Sequence, residues 1–184
     1  TFNIAVRGRA CLDIGASTGG FTDVMLQRGA SSVVALDVGH GQIDWTLRND
    51  PRVVVIERFN ARRLMPADLP RQVDLVTIDV SFISLTLILP PAAALLSDGG
   101  VIISLIKPQF ELRKEDVARG GVVRDPALHT AAVEKIRAFV PRDYWERHGT
   151  FVAAAGEYPG RWFDESFRKP EGDPDARAER LWDE

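Results

Sequence analysis

The fold is decided by a stretch near the amino end, Cys11-Leu12-Asp13-Ile14-Gly15-Ala16-Ser17-Thr18-Gly19-Gly20-Phe21-Thr22. An apolar run ends at Ile14, a loop of small residues follows, and residues 21–28 are amphipathic. This order predicts a strand, a tight glycine loop and a helix, the arrangement with which α/β proteins hold a nucleotide-like ligand. Gly15, Gly19 and Gly20 allow the backbone to approach a ligand where a Cβ would collide.

Short apolar runs alternate with helical patterns along the rest of the chain. Strands are predicted at residues 10–14, 33–37, 53–57, 73–79, 101–106 and 150–155, and helices at residues 21–28, 42–48, 61–64, 84–96 and 126–140. Asp98-Gly99-Gly100 is predicted to be the turn into the fifth strand. The pattern predicts an α/β, Rossmann-like fold, a mostly parallel, doubly wound sheet with helices on both faces.

The two ends of the chain differ in character. We expect one domain over residues 1–156, with its core at 5–140, and a divergent tail at 157–184, where periodicity fades and a short helix at 175–182 is the alternative.

A net charge of −3 excludes a strongly basic nucleic-acid binder but not a local basic patch. No apolar run reaches the roughly 18 residues that a membrane helix needs, and the lone Cys11 has no disulfide partner in the chain. We expect a cytoplasmic protein.

Polar residues close the second and third predicted strands. Asp37 ends the second strand about twenty residues after the glycine loop, where an acidic side chain reaches ribose hydroxyls. A helix cap or a turn carboxylate is the alternative for Asp37. Glu57 and Asn60 follow the third strand, where they could reach a ribose or a base, with turn formation as the alternative.

Asp79 and Lys107 end the fourth and fifth predicted strands, facing the crevice in which open α/β sheets bind ligands. A lysine that finishes an apolar strand is costly unless it is paired, so we expect Lys107 to pair with Asp79. The alternative is a lysine that extends to solvent at the edge of the sheet. A basic loop follows Lys107. Phosphate binding is one interpretation of this loop, and a solvent-exposed charged loop is the alternative; its basic residues are Arg113, Lys114, Arg119 and Arg124.

Other chemistries have weaker signals. His40, His129, His148 and Cys11 show no metal-ligand spacing, so no metal site is predicted. Ser17 lacks the Gly-x-Ser-x-Gly context of a hydrolase nucleophile. It also stands where a dinucleotide-binding loop has its second glycine, which argues against a nicotinamide-dependent oxidoreductase.

Taken in order, these segments resemble the TlyA family, the haemolysin-type members of the FtsJ-like methyltransferases that use S-adenosylmethionine (SAM). The resemblance covers about residues 5–140. Its segments are residues 12–22, Asp37-Val38-Gly39-His40-Gly41-Gln42, residues 47–53, Asp79-Val80-Ser81-Phe82-Ile83-Ser84-Leu85, Lys107-Pro108-Gln109-Phe110-Glu111 and Gly120-Gly121-Val122-Val123-Arg124-Asp125-Pro126.

The resemblance implies an rRNA (cytidine-2'-O)-methyltransferase, with SAM as cofactor and ribosomal RNA or a ribosomal subunit as partner. Family members usually carry an S4-like RNA-binding domain upstream, so we expect this chain to be truncated. The resemblance also implies that the cofactor contacts Asp13, Gly15, Ala16, Ser17, Thr18, Gly19, Gly20, Phe21, Asp37, Val38, Glu57, Asn60 and Asp79.

The family's catalytic pattern is Lys-Asp-Lys-Glu, and Asp79 and Lys107 match its second and third members. Nothing matches the first lysine, because only Arg7 and Arg9 are basic before the first strand. The Gly-Asn-x-Glu segment is missing too, and its nearest echoes are Glu171-Gly172-Asp173, Glu165 and Glu179. A neighbouring carboxylate favours a charged ammonium, so we expect Lys107 to orient the ribose hydroxyl rather than to deprotonate it. We therefore predict SAM binding with weak RNA methylation or none.

Two other functions stay open at this point. The chain could be a non-catalytic module that binds SAM or RNA. It could also be a membrane-damaging haemolysin, as the family's name suggests, although no segment has the pattern of an amphipathic or spanning membrane helix.

Overall fold

The computed structural model describes residues 4–140, 144, 150–157 and 161–168. Its strands form one sheet in the order β3-β2-β1-β4-β5-β6-β7. Neighbours from β3 to β6 run parallel, and β7 is antiparallel to β6. The predicted mostly parallel α/β sheet is therefore confirmed. The strands are β1 (Ala10–Ile14), β2 (Ser32–Leu36), β3 (Val53–Ile56), β4 (Val73–Ile78), β5 (Leu96–Ile106), β6 (Thr150–Glu157) and β7 (Arg161–Arg168).

The helices predicted at residues 21–28 and 126–140 agree with the structure to within one residue at each end, whereas the helices predicted at residues 42–48 and 84–96 are shorter in the structure. The predicted helix at residues 84–96 is split into a 3₁₀ turn and α3, because Pro90 and Pro91 lack N–H groups and fit only a first helical turn. The helices are α1 (Gly20–Gln27), α2 (Trp45–Arg48), α3 (Leu89–Ala93), α4 (Pro108–Glu111) and α5 (Pro126–Phe139), and 3₁₀ turns lie at Ala61–Arg63, Pro66–Asp68, Leu85–Leu87 and Lys114–Asp116.

Strand β5 begins earlier than predicted and contains an irregularity. Leu96 pairs with Val73 and Val101 pairs with Leu75, so residues 97–100 stand opposite the single residue Asp74. The predicted turn at residues 98–100 is therefore wrong, since these residues form a bulge within a continuous strand. Gly99 supplies the positive φ of 75° that the bulge needs.

Apolar side chains cover both faces of the sheet, as predicted. On one face, Leu12 and Ile14 of β1 belong to a cluster that includes residues of α3 and α5. On the other face, Cys11 belongs to a cluster that includes Met25 and Leu26 of α1. Successive side chains of a strand point to opposite faces, so β1 supplies both clusters and lies at the centre of the core.

The carboxyl-terminal part of the sheet is a hairpin. Residues 161–168 show no sequence periodicity, yet they form β7, which pairs antiparallel with β6 from Glu157↔Arg161 to Thr150↔Arg168. Residues 169–184, with the predicted terminal helix, lie outside the described residues. The division into a domain and a tail stays a prediction. In the part of the chain that the structure describes, no helix has the length and apolar character to cross a membrane.

Candidate functional site

A cavity of about 370 Å³ opens at the carboxyl ends of β1, β2 and β4. This is the edge at which parallel α/β sheets bind ligands. Of the thirteen predicted cofactor residues, those that line the cavity are Gly15, Ser17, Asp37, Val38, Asn60 and Asp79. Those that lie outside its lining are Asp13, Ala16, Thr18, Gly19, Gly20, Phe21 and Glu57. Direct contact of either set with a cofactor stays a prediction.

The loop after β1 crosses very close to the end of β4. Gly15 has a φ of 83°, and a Cβ placed on it would lie 2.3 Å from the backbone oxygen of Asp79. Its N–H donates to the backbone oxygen of Leu36 at 2.8 Å. Only glycine fits there without moving the backbone, so the loop forms a cradle in which its backbone faces the cavity.

Asp37 connects the loop after β1 with the loop after β2. Its Oδ2 accepts from the backbone N–H of Ser17 at 2.8 Å, and its Oδ1 accepts from the N–H of Gly39 at 2.7 Å. A carboxylate oxygen has two lone pairs, so each oxygen retains capacity for a ligand hydroxyl. Asp37 therefore shapes the cavity and also offers acceptors to a ligand.

Asp13 supports the loop from behind. Its carboxylate is completely buried and accepts hydrogen bonds from the hydroxyls of Thr22, at 2.7 Å, and Thr77, at 2.8 Å. Burial raises the pKa of Asp13 above its ordinary value, and the two threonine hydrogen bonds oppose this shift. Asp13 thereby joins β1 to both α1 and β4.

Glu57 holds the outer rim of the site. Its Oε1 accepts from Arg48 Nη2 at 2.6 Å and from the N–H of Gly41 at 2.8 Å, while Oε2 lies 3.0 Å from His40 Nδ1. The hydrogen bond from Arg48 is the main cause that lowers the pKa of Glu57. Asn60 caps a 3₁₀ turn, since its Oδ1 accepts from the N–H of Arg62 at 3.1 Å. Both residues thus shape turns, and Asn60 also lines the cavity.

The predicted pairing of Lys107 with Asp79 is confirmed. Lys107 Nζ lies 2.5 Å from Asp79 Oδ1 and donates to Ser81 Oγ at 3.0 Å. The two charged side chains are 21% and 34% exposed, so the pair is shielded but open to a ligand. Asp79 and Ser81 line the cavity, which places the ammonium group at its border.

Sequence reasoning missed the prominence of Phe82. Its side chain is 91% exposed and its backbone has a φ of 62°, a region that bulky residues rarely occupy. Its ring centroid lies 5.2 Å from that of Phe110. A second cavity, of about 660 Å³, adjoins this pair and includes Arg62. The available signal was a large aromatic residue in the short polar segment that follows β4, in the order Asp79-Val80-Ser81-Phe82.

The remaining candidates lie apart from the cavity. Arg113, Lys114, Arg119 and Arg124 are exposed on the segment that follows α4. Among the described residues, no group of three or more His, Cys, Asp or Glu side chains is placed to hold a metal ion. Glu171 and Glu179 lie outside the described residues, and Glu165 lies in β7, opposite Ala153.

Comparison with other proteins identifies relatives of this chain. The family model described as FtsJ-like methyltransferase matches residues 1–163. The 16S/23S rRNA (cytidine-2'-O)-methyltransferase TlyA of Mycobacterium tuberculosis is 58% identical over 132 residues, which cover 72% of this chain and 49% of that protein. Hemolysin A of Brachyspira hyodysenteriae is 50% identical over 128 residues, covering 69% of this chain and 53% of that protein.

A solved structure resembles the chain to a similar extent. A protein from Streptococcus thermophilus that is assigned as a hemolysin superimposes with a TM-score of 0.76 and 47% identity, covering 82% of this chain and 53% of that chain. The chain therefore spans about half the length of the curated relatives it matches.

Proposed function

The chain belongs to the FtsJ-like methyltransferase family, and we propose that it binds SAM and directs methyl transfer to a ribose 2'-hydroxyl of ribosomal RNA in the cytoplasm. The observation that carries this proposal is the Lys107–Asp79 ion pair at the border of the cavity that Gly15 and Asp37 line. A cofactor cradle and a charged pair suited to a hydroxyl group lie side by side there.

The residues of the cavity fit SAM. Gly15 lines the cavity, and its lack of a Cβ lets the loop after β1 pack against the Asp79 backbone, so that the loop forms one wall for the amino-acid portion of the cofactor. Asp37 offers carboxylate lone pairs to ribose hydroxyls. The apolar side chains of Phe59, Ile83 and Ile88 line the same cavity and suit a purine ring. When bound, SAM supplies a methyl group that its sulfonium charge activates.

The contribution of the chain to the reaction is orientation. The Lys107 ammonium has three N–H donors; one donates to Ser81 Oγ, and the charge of the ammonium is paired with the Asp79 carboxylate. We propose that a remaining N–H donates to the 2'-oxygen and holds it in line for transfer.

The surroundings of the ion pair support a single-stranded RNA substrate. Phe82 and Phe110 present aromatic rings beside the site, and Arg62 lines the adjoining cavity. Aromatic faces next to cationic side chains bind single-stranded nucleotides without the need for a duplex. The exposed basic segment after α4 offers further cations to RNA phosphates.

Calorimetric titration with SAM, with NAD in a parallel cell, tests the cofactor. We expect saturable SAM binding and none for NAD. Asp37→Ala should weaken SAM binding roughly 10- to 100-fold, because hydrogen bonds to a charged group contribute about 1.5–3 kcal/mol. Asp50→Ala is the matched control, since Asp50 pairs with Arg52 and does not line the cavity. Binding of NAD alone would overturn the proposal.

Single-turnover transfer of a labelled methyl group to ribosomal subunits or extracted ribosomal RNA tests the reaction. Label at a ribose 2'-oxygen is the expected result. SAM binding without any transfer would instead support the non-catalytic binding module, and lysis of red cells by the pure protein would support the haemolysin.

A further inference from the structure

Glu111 is a buried acid that the proposed reaction does not use directly. It ends α4, four residues after Lys107, and it is only 5% exposed. Its Oε1 accepts from the N–H of Leu85 at 2.7 Å, and its Oε2 accepts from Ser84 Oγ at 2.5 Å. Lys135 Nζ of α5 donates to the same Oε2 at 3.1 Å and to the Glu111 backbone oxygen at 2.5 Å.

These bonds join segments that lie beyond the direct pairing of β4 with β5. The pairing of β4 with β5 ends at Ile78↔Ser104, before either strand reaches its charged residue. The chain after Asp79 then turns through the left-handed backbone of Phe82, while Lys107 caps a helix of only four residues. The Asp79 N–H still donates to the backbone oxygen of Ile14 at 2.9 Å, so the sheet holds the Asp79 backbone. The position of the Lys107 ammonium relative to the Asp79 carboxylate depends in addition on contacts between the two segments beyond the strands.

Glu111 provides a strong contact of this kind. Hydrogen bonds in a buried environment are strengthened by the low dielectric, and a buried carboxylate that lost its donors would be costly. Since α4 separates Lys107 from Glu111 by one helical turn, the carboxylate at one end fixes the lysine at the other. The contact of Phe82 with Phe110 joins the same two segments a second time.

We propose that Glu111 is a positioning residue for methyl transfer. Its hydrogen bonds to Ser84 and Leu85 connect the segment after β4 to the helical turn that begins at Lys107. They thereby hold the Lys107 ammonium close to the Asp79 carboxylate. This inference rests on the proposed function of the site, but its structural part is measurable without any turnover.

Kinetics of Glu111→Ala give the first readout. We expect kcat for methyl transfer to fall about 10- to 100-fold, the effect of a misplacement near 1 Å, while the Kd for SAM stays within threefold. Glu111→Gln retains an oxygen acceptor for the loop and should recover part of the loss. Glu134→Ala is the matched control on α5, since Glu134 pairs with Arg137 and does not contact Glu111. A proportional loss of SAM affinity and kcat in Glu111→Ala would overturn the positioning role.

Acylation of lysines by an amine-reactive ester, read by mass spectrometry, gives the second readout. Lys107 labelling should rise severalfold in Glu111→Ala relative to the exposed Lys114, and should not change in Glu134→Ala. If Glu111→Ala does not fold, Ser84→Ala, which removes only one donor, takes its place with a smaller rise. Unchanged Lys107 labelling in a folded variant would overturn the inference. Changed labelling in a protein that never transfers methyl groups would overturn the proposed function alone.

Discussion

The two sides of the site are built by different means. On the cofactor side, the loops after β1, β2 and β3, the carboxylate that lines the cavity accepts from backbone N–H groups: Asp37 accepts from those of Ser17 and Gly39. On the reaction side, the segments after β4 and β5, side chains bond mainly to one another, as Lys107 does with Asp79 and Ser81. The cofactor side thus depends on the shape of the backbone, and the reaction side depends on the identity of side chains.

The largest expected effect on SAM binding and methyl transfer comes from a substitution that disturbs both the cofactor side and the reaction side of the site. Gly15→Ala would place a Cβ 2.3 Å from the Asp79 backbone oxygen, at a φ of 83°. We expect SAM binding to fall below detection by calorimetry and methyl transfer to disappear, because the cradle and the end of β4 must move apart.

Gly8→Ala is the matched control for this substitution. Gly8 also has a positive φ, 77°, but a Cβ there would meet nothing within 4 Å. It should lower thermal stability by the cost of the left-handed backbone, about 1–2 kcal/mol, and leave SAM affinity unchanged. Normal SAM affinity in Gly15→Ala would show that the cofactor side does not depend on this close approach.

A substitution of Lys107 sharpens the difference between the two sides. Lys107→Met removes the ammonium while retaining an unbranched side chain, and we expect the single-turnover rate to fall about 100-fold because the 2'-oxygen loses the group that orients it. The Kd for SAM should change by less than threefold, because Lys107 does not line the main cavity. Quenched-flow experiments measure the rate of methyl transfer, and calorimetry measures the Kd for SAM. Equal losses of rate and affinity would show that the two sides of the site do not act separately.

Asp13 is an exception on the cofactor side, because its carboxylate accepts from side-chain hydroxyls rather than from backbone N–H groups. Its substitution is expected to have the smallest effect of those considered. Burial raises its pKa above 3.8, so the folded state favours the protonated form. Its contribution to stability is therefore largest below pH 3.8 and decreases as the pH rises through the folded-state pKa.

Asp13→Asn removes this titration while preserving shape. The free energy of unfolding of the parent chain, minus that of Asp13→Asn, should decrease as the pH is raised from about 3 to 7. Urea titrations at stepped pH measure the difference. A difference that does not vary with pH would contradict the effect of burial on this carboxyl.

The central strands and the ion pair were predictable because their signals are local. Short apolar runs mark β1 to β4, and Asp79 and Lys107 each follow such a run directly. The bulge in β5 was not predictable, because Asp98-Gly99-Gly100 also fits a turn and only the pairing with β4 decides between them. Strand β7 lacks a clear alternation and depends on its partner β6.

The supporting role of Glu111 escaped prediction for a related reason. Glu111 binds Ser84, 27 residues away, and no spacing rule connects a helix end with a distant loop. Glu57 has the residue type expected for a ribose contact, but the donors that surround it come from α2 and from the loop after β2. Such roles depend on the folded neighbourhood, which a single sequence does not reveal.

The Asp13–Thr77 hydrogen bond also has a consequence for synthesis on the ribosome. It joins residues 64 positions apart, and β1 lies between β2 and β4 in the sheet. At roughly 5–20 residues per second, several seconds separate the appearance of β1 from that of its second partner. During this interval one edge of the central strand is unpaired and can associate with other nascent chains. The nascent domain is therefore most vulnerable to aggregation before β4 emerges.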